Sequence, residues 1–307
     1  MLDILAVGDA IVDKVISFDE TDVVMNKILP VKGLFFVASD EEHAYLRNKP
    51  ALSYYAGGSA ANTVRNMALL GQKTGFIGMA GHDADGSFFE KSLVDYGVRS
   101  YLLKTTQNKT GCSVVMVHSD KDRTQCAKGC ASELLVIQDV KDEYLKNAYS
   151  VLTEGYMLNR CPDLVENVIC RANKYGVKNY LTLSDVHCVQ NKRDLIIKLL
   201  PYIDILFGNE YEMQALDIDV SMMNGTLFVK TCGQNGVHVF SKNQHAFFPV
   251  SPLDTFVNTN GAGDGFAAGF LTAFHQRKSM QACVDLGHVV ACGVLKTDLS
   301  YLPERLK

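Results

Sequence analysis

The chain has 307 residues, 47% hydrophobic and 21% charged, with 30 Lys and Arg against 34 Asp and Glu. That length fits one large α/β domain or two ordinary ones, with enough apolar material for a sizeable core. A net charge of −4 and a pI near 6.1 argue against a nucleic-acid footprint, which is usually basic. No apolar run approaches the roughly 18–20 residues of a membrane span, so no membrane partner is expected. The opening Met1-Leu2-Asp3-Ile4-Leu5 has neither a basic segment nor a cleavage site, and a cytoplasmic location is expected. Nine scattered cysteines fit reduced thiols in that compartment. Cys126 and Cys130 lack the second ligand pair that a zinc site needs.

In chain order, an apolar strand from Ile4 ends in Gly8-Asp9-Ala10-Ile11-Val12-Asp13. Residues 14–20 with 32–40, and residues 101–125, show short β-rich segments with polar turns such as Ser119-Asp120-Lys121-Asp122. They read as strands of a small separate sheet. A helix over Ala60–Leu70 puts Val64, Met67 and Ala68 on one face, and Gly71 follows as a stop. Further short apolar runs recur at Phe76–Gly78, Val151–Thr153, Tyr180–Leu183, Ile203–Phe207 and Leu227–Lys230. Strands alternating with helical patterns predict an α/β fold, a doubly wound and mostly parallel sheet sandwiched by helices. Ligands of such sheets gather at the carboxyl ends of strands. Asp13, Asn209, Thr231 and Asp264 all sit at or just past apolar runs, which fits one shared cleft. There are no repeats or low-complexity tracts, and residues 1–307 are expected to form a single domain with the small sheet inserted, at approximately 14–40 and 101–125.

Near the C-terminal end stands Val257-Asn258-Thr259-Asn260-Gly261-Ala262-Gly263-Asp264-Gly265-Phe266, followed by apolar residues at helical spacing (Phe266, Phe270, Leu271, Phe274). This reads as a loop entering a helix N-terminus, where free N–H groups and the helix dipole favour anionic oxygens. Asp264 beside such an anion hole suits proton handling, as phosphoryl transfer to a hydroxyl requires. A plain turn with Asp264 as helix cap is the alternative. A dinucleotide fingerprint fails because its third glycine would fall on Phe266, and no Walker P-loop pattern occurs.

The chain resembles the ribokinase-like (PfkB-type) carbohydrate and nucleoside kinases. Asn258-Thr259-Asn260-Gly261-Ala262-Gly263-Asp264 is similar to the family's D-T-x-G-A-G-D. Four more segments follow in family order: Gly8 to Asp13, Gly57-Gly58-Ser59-Ala60-Ala61-Asn62, Asn209-Glu210-Tyr211-Glu212 and Thr231-Cys232-Gly233-Gln234-Asn235-Gly236. The wording of Gly8–Asp13, residues 57–63 and Leu181–Asp185 resembles the adenosine-kinase-like branch. The resemblance implies ATP as co-substrate, Asp264 as catalytic base, and Gly261, Ala262 and Gly263 as the anion hole. It implies substrate contacts from Asp13, Gly57, Gly58, Ser59 and Asn62. Asp9, four residues before Asp13, shares its face if strand geometry persists and is expected to touch substrate as well. Arg123 is placed to reach a phosphate from the small sheet, a solvated surface arginine being the alternative. Asn209, Thr231, Gly233 and Gly236 would line the nucleotide, Glu212 would act near Mg²⁺, through water, and the small sheet would be a lid. One departure stands out: the first acid of the last motif is Asn258 here. In the family that acid is part of a monovalent-cation site, so potassium activation is doubtful.

The expected function is an ATP-dependent kinase acting on a primary hydroxyl of a nucleoside, adenosine-like, or of a sugar, in a monomer or homodimer. The competing reading is a ligand-binding protein with a vestigial kinase site, and a nicotinamide oxidoreductase ranks third.

Overall fold

The computed structural model describes residues 1–28, 35–36, 39–119, 123–218, 225–242, 244–253, 255–257 and 259–304. The first strand, β1 (Leu2–Val7), is buried along nearly its whole length, as befits a parallel strand covered on both faces. After a break at residues 8–10 the chain re-enters β structure as β2 (Ile11–Ser17), in a different sheet. There follow α1 (Val23–Ile28), β3 (Phe35–Phe36), α2 (Asp40–Arg47), β4 (Ser53–Ala56) and α3 (Ser59–Leu69). Ser39 and Glu42 form a capping box that starts α2. Next come β5 (Thr74–Gly81), α4 (Ala84–Asp95), β6 (Arg99–Thr105), β7 (Gly111–Val117) and β8 (Arg123–Lys128). The second half alternates more regularly: α5 (Asp142–Lys146), β9 (Ala148–Glu154), α6 (Gly155–Arg160), α7 (Pro162–Lys174), β10 (Lys178–Thr182) and α8 (Val186–Leu199). It ends with β11 (Ile205–Asn209), α9 (Glu210–Leu216), β12 (Leu227–Thr231), β13 (Val237–Ser241), β14 (Gln244–Phe248), α10 (Ala262–His275) and α11 (Met280–Leu295).

Nine strands form the main sheet in the order β14-β13-β12-β11-β10-β9-β1-β5-β6. All neighbours are parallel except at β12–β13 and β13–β14, which are antiparallel. Alternate side chains of each strand enter opposite cores. On one face Leu5, Val7, Val151, Leu181 and Leu206 pack with Val165, Val168 and Ile169 of α7 and Ile196 of α8. On the other, Ile4, Ala6, Phe76, Leu152 and Ile205 pack with Val64 and Met67 of α3, Phe89 of α4 and Phe270 of α10. This is the doubly wound sandwich expected from the pattern of apolar runs. Among the described residues no helix is long and apolar enough to cross a membrane.

The small sheet has the order β3-β8-β7-β2-β4. One face is dry, with Val12, Ile16, Cys112, Val114 and Met116 against Met25 and Leu46. Asp13 pairs in register with Ser113 of β7 and Tyr55 of β4, so it stands on the opposite face. The expected boundaries need two corrections. Residues 101–105 belong to β6, the parallel edge strand of the main sheet. Its side chains are mostly half-buried, which gives an edge strand the look of a strand from a small sheet. The strand β4, just before Gly57, was not foreseen. Residues 32–34, 37–38 and 120–122 of the expected small-sheet segments lie outside the described residues.

Candidate active site

A cavity of about 330 Å³ opens between the carboxyl ends of the main strands and the polar face of the small sheet. Its wall takes Asp9 and Glu154 from the ends of β1 and β9, Asn209 and Thr231 from β11 and β12, and Asp264 from α10. Asp13, Ser113 and Gln125 come from the small sheet, and Ser59 and Asn62 from α3. The cleft expected at the strand ends is therefore present, and most of the singled-out residues meet in it.

At its base, α10 begins after Gly261, whose φ of +74° is left-handed and whose N-cap position offers no side-chain cap. A Cβ at Gly261 would run into the Ser300 carbonyl, so glycine is required on two counts. Space in front of Gly263 is open. Gly261 and Gly263, at the start of a 14-residue helix, thus line the cavity at the positive end of its dipole, while the Ala262 N–H donates to the Thr259 carbonyl at 3.5 Å. Asp264, in the first turn, is not a cap. Its Oδ1 accepts from Ser59 Oγ at 2.6 Å and its Oδ2 from Asn62 Nδ2 at 3.0 Å. Burial pushes its carboxyl up to about 6, against the lowering by those two hydrogen bonds and by the Arg65 charge.

Asp13 is 9% exposed and is pushed up to about 7, by burial first; the Arg65 charge lowers it and the Asp264 carboxylate raises it. Gly57 packs directly on the Asp13 carboxyl, where any Cβ would clash. Gly58, at φ +86°, turns the chain from β4 into α3. Strand geometry does not persist from Asp9 to Asp13, because residues 8–10 break it, yet both line the cavity. Asp9 is paired with Arg160.

Asn209-x-x-Glu212 proves to be a capping box at the start of α9. Asn209 Oδ1 accepts from the Tyr211 and Glu212 N–H groups, and Glu212 Oε2 accepts from the Asn209 N–H at 2.9 Å. Glu212 also lines the cavity. Burial, with the Asp185 and Asp264 charges, lifts it to about 7 against the Asn209 hydrogen bond. Thr231 lines the cavity, whereas Gly233 and Gly236 form the turn between β12 and β13 just outside it. The Arg123 side chain and Asn258 lie outside the described residues.

Four residues were missed in the sequence. Glu154, fully buried, accepts from the Asp9 N–H at 2.9 Å and from the Ala60 N–H at 2.6 Å. It thereby caps α3 from a distant strand, and burial raises its carboxyl. Arg160 and Tyr156 of α6 complete the wall. Arg65 lies buried behind Asn62. Only Glu154, an acid closing the run Ser150–Thr153, carried a local signal.

A family model described as pfkB family carbohydrate kinase matches residues 34–304. The adenosine kinase of Schizosaccharomyces pombe is 25% identical over 296 residues, covering 87% of each chain. The 5-dehydro-2-deoxygluconokinase of Geobacillus kaustophilus is 25% identical over 288 residues, 84% of each. Among solved structures, adenosine kinase from Sinorhizobium meliloti matches with a TM-score of 0.86 at 28% identity, over 100% of this chain and 96% of its own. A probable sugar kinase from Rhizobium etli matches with a TM-score of 0.88 at 27% identity, over 99% and 96%. With its sheet order, its glycine-led helix and that coverage, the chain belongs to the pfkB family of carbohydrate kinases, in the adenosine-kinase-like branch, and is a phosphotransferase with an alcohol group as acceptor.

Proposed function

We propose that the protein transfers the γ-phosphoryl group of ATP to the primary hydroxyl of a nucleoside, adenosine-like, or of a sugar, with Asp264 as general base. The observation that carries this reading is Asp264 itself, a cavity carboxylate held by Ser59 and Asn62 beside the uncapped N-terminus of α10. The acceptor oxygen attacks the γ-phosphorus, its proton passes to Asp264, and the bond from phosphorus to the bridging oxygen breaks to release ADP. The backbone N–H groups at Gly261–Gly263 receive the charge on the transferring group, a service typically worth ~10²–10³ in rate per donor. Asp13 and Asn62 hold acceptor hydroxyls: a carboxylate accepts two, and an amide both donates and accepts.

Mg²⁺ fits the donor set as a hydrated ion. The Asp185 and Asp264 charges raise the proton affinity of Glu212, so this part of the cavity favours an added cation. Both Glu212 oxygens already accept from Asn209, which leaves that carboxylate suited to meeting a metal-bound water. Such an ion would neutralise charge on the phosphates. The test is a panel of nucleosides and sugars with Mg-ATP, read by mass spectrometry for the gain of one phosphoryl group. Binding of ATP and a ligand with no phosphorylated product from any member would favour a vestigial site instead.

A further inference from the structure

Arg65 is the largest fully buried side chain and the only Lys or Arg in the buried class among the described residues. It sits one turn after Asn62 on a helix buried all round from Ala60 to Met67. Its guanidinium lies between two rings, 5.1 Å from the Phe89 centroid and 4.8 Å from that of Tyr301, a cation–π sandwich. One nitrogen donates to the Gly57 carbonyl at 3.2 Å and to Asn62 Oδ1 at 3.1 Å. Nε and the other terminal nitrogen have no hydrogen-bond partner, and no carboxylate forms an ion pair with it among the described residues. Keeping a cation there is costly, and a packed apolar side chain would fill the space between the two rings without that cost.

The geometry accounts for its presence. Arginine can only donate, so Asn62 must turn its oxygen toward Arg65 and its NH₂ toward Asp264. The flipped amide would set two donors face to face and an oxygen against a carboxylate. The same nitrogen holds Gly57, which packs on Asp13. We propose that Arg65 is a positioning residue that fixes the Asn62 amide as a donor to Asp264 and balances the acids around it, so that Asp264 is ionised when the acceptor arrives. This rests on the reading of Asp264 as base.

Charge from every side bears on Asp264. Asp13 faces it from β2, Glu154 from β9, Glu212 from α9 and Tyr156 from α6, with Arg65 the cation opposing them. Arg65 is itself faced by Tyr96, Tyr301, Asp13 and Asp264. Losing the cation and the fixed amide donor should raise the Asp264 pKa by on the order of one unit.

The experiment follows the ¹³C carboxyl resonance of Asp264 against pH in unliganded wild type, Arg65→Met, Arg65→Gln and Arg65→Lys, with Asp264→Asn supplying the assignment. The Met variant should titrate about one unit higher, the Gln variant higher by part of that because it keeps a donor but no charge, and Lys close to wild type. The acidic limb of kcat/KM should move with the resonance, a roughly tenfold loss on that limb, while the alkaline plateau changes little. Arg65→Gln, which keeps a donor in the buried site, decides alone if Arg65→Met does not fold. An unmoved Asp264 titration in either folded variant overturns the proposal, as does an equal loss of rate at all pH. Because the resonance is read without turnover, an inactive or differently catalysed protein would count against the base, not against the role of Arg65.

Discussion

Replacing Asp264 with Asn keeps the shape of the side chain while removing charge and basicity, and the two consequences can be read separately. The folded carboxyl sits at about 6 against an ordinary 3.8. Below the ordinary value both folded and unfolded chains are protonated and the group costs nothing. As pH rises, the unfolded chain ionises first, so the wild type loses stability until the folded pKa is passed. A shift of about two units corresponds to an upper bound of about 3 kcal/mol above that point, reduced because the side chain is partly open to the cavity. Asparagine escapes this penalty and keeps both partners: its oxygen accepts from the Asn62 NH₂, and its own NH₂ donates to Ser59 Oγ, since a hydroxyl accepts as well as donates. The melting temperature of Asp264→Asn relative to wild type should therefore climb between about pH 4 and pH 6 by several degrees and stay level on either side. Relief of Asp13, which Asp264 raises, extends the climb toward pH 7. Turnover should fall at least ~10²-fold throughout. Thermal melts across pH, paired with steady-state rates, check both parts. A temperature difference independent of pH would show that Asp264 ionises normally, and near wild-type turnover would remove it as the base.

Asp13→Asn should weaken acceptor binding by roughly 10–10²-fold, the value of hydrogen bonds to a charged group, and leave the KM for ATP nearly unchanged; equal changes in both would place Asp13 elsewhere in the cycle. If the small sheet closes over the cavity, acceptor with a non-hydrolysable nucleotide should slow hydrogen exchange in β7 and β8 and leave β6 unaffected, since β6 belongs to the main sheet; identical exchange with and without ligands would count against a lid. Activity should depend only weakly on potassium, because Asn258 brings a dipole where a carboxylate would bring charge. Exchanging potassium for a bulky organic cation at constant ionic strength tests this, and strong activation would show that backbone carbonyls suffice.

The strands of the main sheet were legible because a parallel strand buried on both faces writes a continuous apolar run, as at Ile205–Phe207 and Leu227–Val229. Asn209 and Thr231, which end those runs, were singled out by the family resemblance of their segments, and their place past the runs pointed to the same cleft. Asp264 was legible because a helix start without a side-chain cap leaves a glycine-rich signature. The small sheet was read less well. Its strands have one dry face and one cavity face, an alternation that β6 shares as a half-covered edge, and β4 is only four residues long. Glu154 and Arg65 were missed for a different reason. Each acts through partners brought together by the fold: Glu154 reaches Asp9 across 145 residues of sequence and Ala60 across 94, while Arg65 meets a ring from the C-terminal segment.

Those long separations also bear on the order of events when the chain is made. Ser59 and Asn62 stand 205 and 202 residues before the aspartate that they hold. At about 5–20 residues per second, ribosomal synthesis separates their appearance by on the order of 10–40 s. During that interval Arg65 has no Tyr301 against it and Asn66 has no Leu302 N–H to accept. The proposed acceptor clamp exists in the growing chain well before the base and the phosphate-facing helix do. On the reading proposed for Asp264, a nascent or prematurely ended chain that stops short of α10 lacks both the base and the anion-facing helix start, and it would transfer no phosphoryl group until its last helices dock.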